Sequence, residues 1–315
     1  MRVAAIDCGT NSIRLLVADI DDDGLRDLAR EMRVVRLGQG VDATGSFAPE
    51  AIERTEQALT EYVGIIADLG GVDAVRMVAT SATRDADNRD LFFDMTRRVL
   101  APVADGAVAE VITGDEEARL SFAGAVGDLD ASEGPFLVVD LGGGSTELVL
   151  GDADGVRAAF SANIGCVRLT ERCLQSDPPS ESELTAGREF VAERLQPAFD
   201  AVSVGEARTW VGVAGTMTTL AAIAQDLDHY DPDRIHLSRI GFGQLREVCD
   251  RLVTMTRDDR SAIGSMHPGR VDVIGGGAIV TSVLADHIGA ESGIDTLVVS
   301  EHDILDGIAL SVAGR

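Results

Sequence analysis

Two short stretches set an acid, glycines and hydroxyls at the end of an apolar run. One, residues 138–149, reads V-V-D-L-G-G-G-S-T-E-L-V. It has the form of a β-hairpin whose turn is built to hold something. Gly142, Gly143 and Gly144 accept positive φ and lack a Cβ, so consecutive N–H groups can converge on a phosphate oxygen, with the Ser145 and Thr146 hydroxyls as further donors. Asp140 would then lie beside the anion, an arrangement that calls for a divalent cation. The competing reading is a plain glycine-rich turn. A second copy shifts that balance: residues 6–17 read I-D-C-G-T-N-S-I-R-L-L-V, and superposing Asp7 on Asp140 aligns Gly9 with Gly142, Ser12 with Ser145 and Leu15 with Leu148. Both copies run on into an Asp-rich turn ending in glycine, residues 21–24 and 152–155. The pattern predicts an internal duplication whose two hairpins clasp one anion.

The elements that must position these turns follow from the rest of the pattern. Residues 2–8, 13–20 and 25–35 form an antiparallel meander. Pro49 opens a helix to Asp68. A short strand at 75–79 feeds a polar loop, 80–88, that carries Arg84, then a helix at 89–100 and a strand at 108–112. Asp115, Glu116 and Glu117 fall in the first turn of the next helix, where the macrodipole alone would favour them. The second half repeats the order. The 140s hairpin leads into a strand at 156–160, a glycine turn at Gly165, a helix over 181–199 and a strand at 208–213. Residues 214–219 open a helix whose amides could face a phosphate, or could simply pack on the sheet. A polar surface loop is expected at 226–238, helices at 242–253 and 258–263, a small-residue helix after Arg270, a strand at 296–299 and a last helix at 303–313. His302-Asp303 is an isolated pair read as a helix cap.

The totals narrow the function classes. A chain of 315 residues with 45% hydrophobic content supports two domains with real cores. No apolar run is long enough to span a bilayer and no signal-peptide pattern precedes the first strand, so the cytoplasm is expected, with no membrane partner. Four cysteines without CxxC spacing fit reduced thiols. The net charge of −26 argues against a nucleic-acid partner. All 27 basic residues are arginine, which excludes P-loop lysine and Schiff-base chemistry.

Taken together, residues 6–17, 80–88, 113–118, 139–148, 165–171, 215–220 and 270–278 resemble, in order, the motifs of the exopolyphosphatase / guanosine pentaphosphate phosphatase (Ppx/GppA) family of the actin-like ATPase superfamily. The resemblance implies an α/β fold of two ribonuclease H-like domains, each with a five-stranded mixed sheet. Domain I would be 1–125 plus the C-terminal helix 301–315, and domain II 126–300, with the active site in the cleft between them. It also implies the short two-domain form and a homodimer. The reaction implied is removal of the terminal phosphate of inorganic polyphosphate, or alternatively of pppGpp; a superfamily kinase or a non-catalytic nucleotide sensor ranks below these.

The same resemblance implies Mg²⁺, with Mn²⁺ as an alternative, on Asp7 and Asp140. Glu117 would position or deprotonate the attacking water, with Glu147 assisting. Asn11, Ser12, Gly143, Gly144, Ser145 and Thr146 would cradle the phosphate, while Arg84, Cys166 and Arg270 would line the substrate pocket. With Arg168, the two arginines would make a locally positive cleft in an otherwise acidic surface, and short polyphosphate chains would be preferred.

Overall fold

The structure is a computed structural model that describes residues 1–21, 24–312 and 314. It divides into two compact units, Met1–Gly124 with Ile304–Arg315, and Ala125–Asp303.

Unit 1 opens with β1 (Arg2–Cys8), β2 (Ser12–Asp21) and β3 (Gly24–Val34). Asp22 and Asp23 of the expected acidic turn lie outside the described residues. After a short α1 (Val41–Thr44) comes α2 (Pro49–Asp68), which starts at proline because that residue supplies a helical φ and no N–H that the first turn would need. The buried positions of α2 (Ala51, Thr55, Ala58, Leu59, Tyr62, Ile66) recur at helical spacing, so one face lies on the sheet. The Tyr62 hydroxyl donates to the Ile13 carbonyl of β2 at 2.8 Å. Burying Leu59 or Ile66 in this way stabilises the unit by about 1.5–3 kcal/mol per side chain. Then follow β4 (Ala74–Ala79), α3 (Ser81–Asp85), α4 (Arg89–Leu100), β5 (Glu110–Val111) and α5 (Gly114–Ala125). The sheet order is β3-β2-β1-β4-β5, antiparallel across the meander and parallel from β1 onward. The last helix of the chain, Ile304–Val312, packs on the opposite face through Ile304, Leu305, Ile308 and Ala309, against Val3, Ala5 and Leu16. Gly307 is required there, because a Cβ would meet the Leu120 carbonyl oxygen at 2.0 Å.

Unit 2 repeats the plan with β6 (Phe136–Leu141), β7 (Thr146–Asp152) and β8 (Gly155–Ala162), then α6 (Cys166–Cys173) and α7 (Glu181–Ala201). Next come β9 (Thr209–Val213), α8 (Ala214–Ala224), α9 (Pro232–Ile235), β10 (Ser238–Gly241), α10 (Phe242–Thr254), α11 (Arg257–Ser261), α12 (Ile274–Ser292) and β11 (Thr296–Val299). Its sheet runs β10-β11-β9-β6-β7-β8. This sheet has six strands, not the expected five, because residues 238–241, between the expected loop at 226–238 and the helix from 242, pair antiparallel with β11. Two further expectations change. Residues 81–85 of the polar loop form a helix, and the strand expected over 108–112 is reduced to Glu110–Val111. Among the described residues no helix is long and apolar enough to cross a membrane.

Candidate active site

The two hairpins share one register. Asp7 stands opposite Arg14 across β1 and β2, and Asp140 stands opposite Glu147 across β6 and β7. The acid in each copy is set at the end of a strand buried along nearly its whole length. Its cross-strand neighbour is seven positions on because each turn closes in the same way, with Gly9 N–H on Ser12 O and Gly142 N–H on Ser145 O, both at 3.0 Å. Neither Gly9 nor Gly142 uses left-handed φ. The conformational freedom expected of the glycines is therefore not what these two positions exploit.

In unit 1 the acids are held by arginines. Arg14 donates to Asp7 Oδ2 through Nη2 at 2.7 Å and Nε at 3.0 Å. Arg84 donates through Nη1 to Glu117 Oε2 at 2.7 Å and to the Ile112 carbonyl at 3.0 Å. Both acids are buried. Their neighbour Glu116 goes instead to Arg76 near the surface, at 2.6 Å, so of the two glutamates only Glu117 turns inward. Thr113 closes the helix start, taking Glu116 N–H on its hydroxyl and Glu117 N–H on its carbonyl. Arg84 was expected to face substrate; its pairing with Glu117 reduces the free positive charge that the sequence assigned to it. Asn11 accepts Val35 and Arg36 N–H groups on its backbone carbonyl, so its place is fixed by the main chain. Ser12 begins β2. The sequence reading missed Arg14. Alternation along β2 would have placed it on Asp7's face.

In unit 2 the glycine turn is clamped from below by α6. Cys166 N–H donates to Gly142 O at 3.1 Å, and Val167 and Arg168 N–H groups to Gly143 O at 2.9 and 3.1 Å, while Arg168 Nε reaches Gly144 O at 2.9 Å. Gly165 makes the approach possible, since a Cβ there would meet Gly143 O at 2.5 Å. With the turn's carbonyls taken, no acceptor among the described residues takes the amides of Gly143, Gly144 or Ser145. Those N–H groups suit an anion. Thr146 is a correction. Its hydroxyl is fully buried and donates to the Ile164 carbonyl at 2.6 Å, so it ties the hairpin to the α6 turn instead of offering a phosphate donor.

Arg270 lies across the start of α8. Its Nη1 donates to Thr219 Oγ1 at 3.0 Å, and a Cβ on Gly215 would strike its guanidinium at 2.3 Å. Cys166 sits beside this group. Burial pushes its thiol up to about 11, against the opposing pull of a hydrogen bond with Thr216 and of the Arg270 charge. It is protonated at neutral pH, as expected of a contact and not of a nucleophile. The glycines after Arg270 serve packing. A Cβ on Gly276 would meet Cys166 O at 2.6 Å, and one on Gly277 would meet Thr216 Cγ2 at 2.6 Å.

The Ppx/GppA phosphatase family model matches residues 16–312. The chain belongs to this family. Exopolyphosphatase 2 of Mycobacterium tuberculosis is 61% identical to it over 317 residues, covering 99% of each chain. An Aquifex aeolicus Ppx/GppA family crystal structure is 34% identical with a TM-score of 0.78, covering 99% of this chain and 97% of that one. An exopolyphosphatase structure from Cytophaga hutchinsonii is 26% identical with a TM-score of 0.87, covering 100% of this chain and 98% of that one. The two-sheet α/β architecture is thus that of Ppx/GppA proteins. The family model's match begins after Asp7 and the first glycine turn, while the alignment with the Mycobacterium tuberculosis relative covers 99% of the chain.

Proposed function

We propose that the protein is an exopolyphosphatase, a hydrolase that releases orthophosphate from the end of inorganic polyphosphate. The observation that carries this reading is the 61% identity to an exopolyphosphatase over essentially the whole of both chains.

The residues fit the chemistry unit by unit. Phosphoryl transfer to water asks for positioning and charge neutralisation more than for covalent chemistry. In unit 2 the open amides of Gly143, Gly144 and Ser145 would receive the terminal phosphoryl oxygens, and Arg270, braced by Thr219, would hold a neighbouring phosphate. A divalent cation, Mg²⁺ or Mn²⁺, fits Asp140 and Glu147. These are two buried carboxylates at directly opposite sheet positions, 7% and 1% exposed, and carboxylate oxygens are the donors such an ion prefers. When bound, such an ion would neutralise charge on the phosphate oxygens. Ser161 donates to Glu147 Oε1 at 2.6 Å and orients that carboxylate.

In unit 1 Glu117 would accept a proton from the attacking water. Arg84 fixes one of its oxygens, which holds the carboxylate's orientation. Asp7 remains a proposed metal ligand, its carboxylate held in place by Arg14. Asn11 and Ser12 remain proposed contacts of the phosphate. A cytoplasmic homodimer completes the reading on the family resemblance alone.

Phosphate release with Mg²⁺ from polyphosphate, pppGpp and ATP, compared side by side, tests the assignment. Polyphosphate should give the highest kcat/KM. A tenfold or greater preference for pppGpp would overturn it.

A further inference from the structure

Unit 2 holds a second cluster of ionisable side chains, made of residues the phosphate chemistry does not use. His302 Nδ1 is 2.6 Å from Asp128 Oδ2, and His236 Nε2 is 3.4 Å from the same oxygen. The two imidazole rings lie 4.6 Å apart between centroids. One ligand atom from each residue falls within 4.8 Å of the others. The three come from separate segments: the turn after α5, the residue that ends α9, and the loop after β11.

The main chain fixes these segments in advance. Leu237 N–H donates to Val299 O at 2.7 Å and Ser300 N–H to Gly212 O at 3.0 Å, which ties both histidine loops to the sheet. Ser300 Oγ donates to His302 O at 2.9 Å and takes His302 N–H at 3.1 Å. Glu301 N–H reaches His236 Nδ1 at 3.3 Å and so orients that ring. The side chains remain reachable from water, with Asp128 49%, His302 38% and His236 23% exposed.

We propose that Asp128, His236 and His302 form a binding site for a divalent transition-metal ion of the zinc class, with water completing the coordination. Two imidazoles and one carboxylate select such an ion over Mg²⁺ or Ca²⁺, which prefer all-oxygen shells. A tetrahedral ion with bonds of about 2.0–2.1 Å needs donors about 3.3 Å apart. The His236–Asp128 separation of 3.4 Å already meets this, and the His302–Asp128 pair at 2.6 Å must open slightly. On binding, each neutral ring turns one nitrogen to the ion and carries its single proton on the other, exchanged through solvent: His302 moves its proton from Nδ1 to Nε2, and His236 from Nε2 to Nδ1, giving up the long bond from Glu301 N–H. A ligating imidazole must be neutral, so protons compete with the ion for the site.

Calorimetric titration of the intact, untagged chain with Zn²⁺, in excess Mg²⁺, tests the site. One Zn²⁺ per chain should bind and raise the melting temperature, and its affinity should drop about tenfold or more in Asp128→Asn and be lost in His236→Ala/His302→Ala. Circular dichroism without metal checks that each variant folds; if one does not, His302→Gln, which keeps side-chain bulk, replaces it. Zn²⁺ binding of equal affinity and stoichiometry in a folded double variant, or no Zn²⁺ binding by the parent chain, overturns the proposal.

Discussion

The hairpins of the two units are the same object with opposite electrostatics. In unit 1 the acid at the end of β1 faces an arginine; in unit 2 the acid at the end of β6 faces a glutamate. Strand register, turn closure and burial agree, so the difference lies in one cross-strand residue. An Asp–Arg pair balances its own charge, and the hairpin is complete without a ligand. An Asp–Glu pair in the same place sets two carboxylates side by side in a buried setting, the kind of oxygen donors the proposed divalent cation would take. On the proposed function, the first hairpin holds structure and the second takes the metal. Glu117, paired with Arg84, follows the style of unit 1.

The largest effect should come from making the second hairpin like the first. Glu147→Arg should lower kcat/KM by about a thousandfold or more, the scale of removing metal-supplied charge stabilisation. It should also abolish the rise in melting temperature that Mg²⁺ gives the parent chain. If Mg²⁺ still stabilises the variant as before, the cation does not depend on this pair and the contrast fails. Next in size, Glu117→Ala should reduce kcat about 10²–10⁴-fold in steady-state phosphate release with little change in KM, as loss of a general base does. A fall of less than tenfold would remove Glu117 from the chemistry.

Arg14→Met should act on stability more than on catalysis, costing about 2–4 kcal/mol in urea unfolding because it takes a charge-assisted partner from a buried carboxylate. Added Mg²⁺ should recover part of that loss, since Asp7 would then resemble Asp140. A cost below about 0.5 kcal/mol, the range of an ordinary surface change, would make the unit 1 pair incidental.

The smallest effect concerns a carboxylate satisfied in a third way, by backbone amides. Glu183 accepts N–H groups from Ser180, Gln175 and Ser176, and these bonds, the Ser180 amide first, hold its carboxyl down at about 2 against an ordinary 4.5. Its folded value is the lower one, so its contribution is fully present above about pH 4.5 and fades as pH falls toward 2. Urea midpoints of the parent chain should exceed those of Glu183→Gln at pH 6 and converge with them near pH 2. A gap that does not narrow in acid would show that the proton is not involved.

Much of this was legible in the residues because it is local. The repeated D-x-G pattern gave both turns, the helix at 89–100 and the strand at 296–299 fell where periodicity put them, and the collinear motifs led to the family. The misses have a common physical source. Strand β10 is too short and polar to announce itself, and exists because the free edge of β11 offers it hydrogen bonds. Thr146 looks like a phosphate donor in its motif and becomes a brace because Ile164 O lies within reach.

By itself the sequence determined where the chain turns, which faces are apolar, and which acids, glycines and hydroxyls sit at the turns, since those follow from spacing and side-chain type. It could not say which charge each acid would meet. Arg84 is 33 residues from Glu117, and His302 is 174 from Asp128. The pair His302-Asp303 read as a helix cap, and only the fold brings His236 and Asp128 to it. Coulomb and coordination energies depend on distances in space, and those distances are set by sheet order and register rather than by neighbours along the chain.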